Sequence, residues 1–211
     1  PGGGTLMSAH AEPHTGGHHG GEHPPEIYLS SRVPQTILGM LLFIGSEAML
    51  FGAFFAALFF VRVVNEAPHW PPIGFHLPIF VAGMNTIVLV TSSFTMHWSL
   101  QSIKRNNRVG MIAGLSLTVL MGITFVVTQA REYSRIGFAP GDSAFASTFY
   151  GLTGLHGLHV IIGLLLLAFA LIRACRGHFS AEHHHGLEIP GIYWHFVDVM
   201  WIVVFITVYI I

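Results

Sequence analysis

The chain has 211 residues, a formal net charge of −1 and a single cysteine. It is 52% hydrophobic and only 9% charged, against about 25% charged residues in a soluble domain. A soluble core of this size cannot hide so much apolar surface, so the composition points to an integral membrane protein. The charge balance gives no reason to expect nucleic acid as a partner. With Cys175 alone, an internal disulfide and a cysteine-based zinc or iron–sulfur site are excluded. No basic segment leads into an apolar stretch at the start, so no signal peptide is read there.

Residues 1–35 are rich in Gly, Pro and His and show almost no apolar periodicity. They read as a polar tail, disordered or lying on a surface. His10, His14, His18, His19 and His23 also fit a weak divalent-metal site, but nothing fixes a ligand geometry.

Five apolar runs follow, predicted as helices over Thr36–Val61, Pro78–Leu100, Val109–Ala130, about Ala146–Ala174, and Pro190–Ile211. Each has the roughly 20 residues that cross a hydrocarbon core of about 30 Å. Pro34, Pro78 and Pro190 lie at or just before predicted helix starts, where a missing N–H costs little. A membrane barrel needs short, strictly alternating segments, and none occur. The reading is all-α: a five-helix integral membrane bundle over 36–211 behind a tail at 1–35.

An odd number of spans puts the two termini on opposite sides. Arg32, Lys104, Arg105, Arg108, Arg173 and Arg176 fall on one side, and Arg62, Arg131 and Arg135 on the other. The excess favours a cytoplasmic N-terminus and an outer C-terminus.

Within the first run, Glu47 lies near mid-bilayer, where a charged side chain costs roughly 2.5 kcal/mol or more on insertion scales. It is expected to be protonated, paired, or turned toward protein or water. A proton-handling carboxylate and a neutral acid bonded to a neighbouring helix both satisfy this.

In the fourth run, "GLHGLHV" puts His156 and His159 at i, i+3, on one face. Gly151, Gly154 and Gly157 form a small-residue stripe for close helix approach. Haem needs a wide cavity with ligands from facing helices, so the glycines favour interhelical hydrogen bonding over ligation.

Glu132 and Tyr133, in the turn "TQAREYSRIG", fit a solvated loop with an interfacial tyrosine. The loop before the fifth run holds His178, His183, His184 and His185, of which three adjacent imidazoles do not converge on one ion. In the fifth run, "GIYWHFVDVMWIVVF", His195 and Asp198 share a face and fit an internal link or a proton relay. Tyr193 and Trp194 read as interfacial anchors.

The strings "SEAMLFGAFFAALF", "QAREY", "STFYGLTGLHGLHVIIG", "HHHGLE" and "YWHFVDVMWIVVFITVYI" occur in this order. Together they resemble subunit III of the haem–copper terminal oxidases, over about residues 33–211. The resemblance implies the last five helices of a seven-helix form, the other two absent or carried by subunit I. It implies a subunit with no catalytic residue and no metal, haem or copper of its own, those centres lying in subunits I and II. It makes Glu47 the family's intramembrane carboxylate, a site of carbodiimide modification. It makes His156, His159, His195, Asp198 and Glu132 a structural polar network, and it implies bound phospholipid.

Lys104, Arg105, Arg108, Arg173 and Arg176 are then expected at lipid headgroups. The implied partners are subunit I, subunit II, a small subunit IV, membrane lipids, and cytochrome c as donor to a complex that reduces O2 and pumps protons across a bacterial plasma membrane. The implied role is support of subunit I: its stability, its proton uptake, and lipid and oxygen access. A quinol oxidase subunit, a nitric oxide reductase accessory protein and a free-standing haem b cytochrome or proton-coupled carrier stand as alternatives.

Overall fold

The computed structural model describes residues 35–64, 78–177 and 185–210. The predicted tail, apart from Gln35, lies outside the described residues, as do His178, His183 and His184. The helices are α1 (Gln35–Val64), α2 (Ile79–Lys104), α3 (Arg108–Tyr133), α4 (Ala144–Cys175) and α5 (His185–Phe205). The last continues as a π-helical turn over Ile206–Ile210. All five are long and apolar enough to cross a membrane, and no strand occurs among the described residues.

Most helices outrun the predicted spans, α2 and α3 through polar residues such as Gln101, Lys104, Arg131 and Glu132 at their ends. The largest difference is at Pro190, expected to open the fifth helix but found inside α5. Only the backbone bond to the Gly186 carbonyl is forgone, and Gly186 itself is exposed, so its unpaired carbonyl costs little. The earlier start carries Tyr193 and Trp194 about 12–14 Å into the helix. They are therefore not interfacial anchors: both are buried in the core.

Short polar devices set the turns. Asn106 adopts a left-handed backbone (φ 57°) after α2, and the Asn107 side chain accepts from the Gly110 N–H to cap α3. The Ser143 hydroxyl accepts from the Ala146 N–H and starts α4 in the same way. α2 and α3 are bound by hydroxyl side chains: Ser99 donates to the Met111 carbonyl at 2.8 Å, and Thr95 and Thr118 share a 2.7 Å bond. Lipid tails supply no hydrophobic drive between helices, so small residues and such bonds carry the association.

The core is organised around α5. Half of its span is buried, against 11% for α1. Trp194 sits in a cradle of two glycines. A Cβ on Gly122 would lie 2.7 Å from the indole, and one on Gly163 2.9 Å from it. The indole N–H donates to the Ser92 hydroxyl of α2 at 2.9 Å. One ring thus touches α2, α3 and α4. Seven residues on, the Trp201 N–H donates to the Thr86 hydroxyl at 3.0 Å, and its ring meets Phe125 edge-on.

The predicted glycine stripe divides. Gly151 is covered by Phe54 of α1. A Cβ added at Gly154 or Gly157 would meet nothing within 4 Å, and these two glycines line a cleft of about 280 Å³ between α3 and α4. A repeat of three falls short of the 3.6-residue turn by about 60° per step, so the stripe rotates from α1 toward α3.

Gly163→Leu is expected to destabilise the bundle by about 1–3 kcal/mol through overpacking against Trp194. Gly157→Ala is expected to be neutral or to stabilise by up to about 1 kcal/mol through helix propensity. Denaturant titration of the purified chain in detergent, read by tryptophan fluorescence, checks both.

Candidate functional site

Ionisable residues of three helices, and a serine of a fourth, lie near the middle of the bundle. Measured along each helix from its Lys104-side end, Glu47, Ser93 and Asp198 fall at about 16–20 Å and His159 at about 24 Å. They form two separate groups.

The first joins α1 to α4. Glu47 Oε2 and His159 Nε2 are 2.8 Å apart. His159 Nδ1 is 2.8 Å from the carbonyl of Leu155, one turn earlier. A carbonyl only accepts, so Nδ1 carries a proton. The Glu47–His159 contact then holds one further proton, either on the carboxyl group or on the imidazole as an ion pair. The side chains of His159 and Glu47 are 6% and 18% exposed, so the bond forms largely out of solvent. Phe51 and Tyr193 pack against the imidazole. For Glu47, the sequence leaves protonation, pairing and a turn toward water open; the geometry pairs it.

The second group joins α2 to α5. His195 Nδ1 lies 3.1 Å from Ser93 Oγ, and the Ser93 hydroxyl donates to Asp198 Oδ2 in a short hydrogen bond. His195 and Asp198 therefore meet through a serine of another helix rather than by direct pairing. Sequence reasoning does not single out Ser93. Its available signal is the hydroxyl run "TSS" in the second span, at the depth of His195 and Asp198.

His156 departs from expectation. It is fully buried, yet neither ring nitrogen has a hydrogen-bond partner among the described residues. Its neighbours are the rings of Trp201, 4.7 Å away, and Phe125, 5.7 Å away and edge-on. The nearby indole N–H is already spent on Thr86, so the cross-helix contact at His156 is aromatic. His156 and His159 meet different partners and do not converge on one ligand.

Glu132 lies at the opposite end of α3 from the basic cluster. Its side chain is part-exposed and joins neither group. Tyr133, next to it, reaches inward and donates to Thr153 at 2.8 Å, so it is not a simple interfacial tyrosine.

The five basic residues expected at headgroups lie at one end of the bundle, and at least three of them, Lys104, Arg108 and Arg173, are engaged within the chain. Lys104 pairs with Glu188 of α5 at 3.1 Å. Arg108 donates to the Cys175 carbonyl at 2.9 Å and the Ala174 carbonyl at 3.3 Å, closing the C-terminus of α4. Arg173 stands over Phe169, and Arg105 and Arg176 are exposed. Among the described residues, no three His, Cys, Asp or Glu side chains are grouped as a metal site.

A profile of the family "Cytochrome c oxidase subunit III" matches residues 21–211. The chain belongs to that family. A cytochrome c oxidase subunit 3 of Thermostichus vulcanus is 42% identical over 175 residues, covering 82% of this chain and 86% of the relative. One from Pisaster ochraceus is 45% identical, covering 81% and 68%. The human one is 39% identical over 194 residues, covering 90% and 72%. Membership makes the chain a multi-pass membrane subunit of an oxidoreductase complex, in contact with other oxidase subunits.

Hydrogen bonds between membrane helices are worth about 0.6 kcal/mol on average and up to about 1.7. A double-mutant cycle of Glu47→Leu with His159→Leu, read by unfolding in detergent, is expected to give a coupling of about 1 kcal/mol. The same cycle between Glu47 and His195, on different groups, is expected to give a coupling near zero.

Proposed function

We propose that this subunit acts by packing, solvation and lipid contact on behalf of the subunit that carries the redox centres. In this reading haem and copper reside in subunits I and II, and a small subunit IV completes the assembly. Cytochrome c supplies electrons, and O2 is reduced to water with protons pumped across a bacterial plasma membrane. The chain contributes stability to subunit I, sustains its proton uptake, and shapes the paths of lipid and oxygen. Its N-terminus is cytoplasmic, which places Lys104, Arg105, Arg108, Arg173 and Arg176 at the inner leaflet. There each exposed basic residue adds about 1 kcal/mol of attraction to anionic headgroups.

One observation carries this reading: both midplane carboxylates meet partners from the chain's own helices. Glu47 meets His159, and Asp198 meets Ser93. Buried ionisable groups so engaged serve as fasteners between helices. Glu47, with 18% of its side chain exposed, is the carboxyl group in this set open to a small lipophilic reagent.

Glu47→Gln keeps the shape and a hydrogen bond to His159. It is expected to leave assembly intact and to change turnover by less than about twofold. Glu47→Leu removes the bond and is expected to lower the yield of assembled complex. Quantified subunits after purification, with oxygen consumption per haem, decide between these outcomes. Substitution of His156 or His159 is expected to leave the visible haem spectrum of the complex unchanged. A lost haem band in an otherwise complete assembly contradicts the structural role.

A further inference from the structure

Glu47 and Asp198 are each met by another helix of the chain, but His97 and Gln101, on the outer side of α2, meet only each other among the described residues. His97 lies one turn from Ser93, and Gln101 one turn beyond that, so the three share a face of α2. His97 and Gln101 are both exposed. From the centre of α2, His97 is displaced by about 8 Å and Gln101 by about 14 Å. With a hydrocarbon half-thickness of about 15 Å, His97 is well inside the apolar slab. Phe94 and Trp98, beside it, are exposed as well.

The His97 ring is not self-sufficient. Gln101 Nε2 lies 3.0 Å from His97 Nε2. The amide donates there, so His97 Nε2 accepts and the ring proton sits on Nδ1. No described residue accepts from that Nδ1–H. Alongside, His195 and Ser93 are only half-buried, so the seam between α2 and α5 opens on the same side. A polar donor facing hydrocarbon is costly, and polar residues in membrane helices face protein or water rather than lipid.

We propose that the α2 face bearing Phe94, His97, Trp98 and Gln101 is covered, in the assembled oxidase, by a membrane-spanning helix of another subunit. That helix presents a hydrogen-bond acceptor to His97 Nδ1: a carboxylate, a hydroxyl or a freed backbone carbonyl. The hydrogen-bonding complement selects the occupant, because acyl chains offer no acceptor at this depth. The inference rests on membership of an oxidase complex and assigns that contact to a particular face.

The direction of a mutational effect separates the two surroundings. Against lipid, His97→Leu replaces a polar group with an apolar one and leaves assembly unchanged or improves it. Against a partner helix, it strands an acceptor and loosens the complex. The expected result is a roughly three- to tenfold loss of the haem-bearing subunits retained at fixed detergent, partly restored by His97→Gln.

A photoreactive benzoylphenylalanine at position 97 supplies the second readout, in membranes containing the whole complex. An adduct with another oxidase subunit supports the proposal. An adduct with lipid alone, or with this chain's own N-terminal segment, overturns it, as does full retention with His97→Leu. Co-purification of the wild-type chain with the haem-bearing subunits is scored first. If that fails, the oxidase reading fails; if it succeeds and the adduct is lipid, only the assignment of this face fails.

Discussion

The bundle depends on one close fit, the Trp194 indole between Gly122 and Gly163 with its N–H on Ser92. In lipid there is no hydrophobic penalty for separating two helices, so contact surfaces must be shaped to each other and polar atoms must be met. Trp194 does both. Its ring fills the space two missing side chains leave, and its one donor is satisfied across the helix gap. α5 is therefore the most buried helix and α2, α3 and α4 are assembled around it.

A second constraint follows from the first. Once α5 is central, its polar residues have to be met from the side. Ser92, Ser93 and Thr86 stand on α2 at the heights of Trp194, His195 with Asp198, and Trp201. The antiparallel register of α2 and α5 can be read from these pairs alone. Slipping one helix by a turn strands two indole donors and a carboxylate in an apolar medium. The polar contacts thus fix the register that the glycine cradle leaves adjustable.

Much of this is legible in the residues. Five apolar runs of spanning length mark the helices, and the depth of Glu47 announces a group needing a partner. What stays hidden is direction. Periodicity shows that His156 and His159 share a face, but not that one meets a carboxyl group and the other two aromatic rings. The helix start at His185 is masked by Pro190, and this moves Tyr193 and Trp194 from an apparent interface into the core. Lys104 and Arg108 look free because Glu188 and the α4 carbonyls come beside them only after folding. Ser93 escapes notice because one hydroxyl among several in an apolar span carries no chemistry until its neighbour across the gap is known.

The bond between Glu47 and His159 has a consequence in time. Its partners are 112 residues apart in the chain. At a synthesis rate of about 5–20 residues per second, α1 enters the membrane roughly 6–20 s before α4 exists. Throughout that interval His159 is not there to meet the carboxyl group. The nascent first helix must shelter against the insertion machinery, stay near the headgroups, or borrow a transient companion until its permanent one emerges.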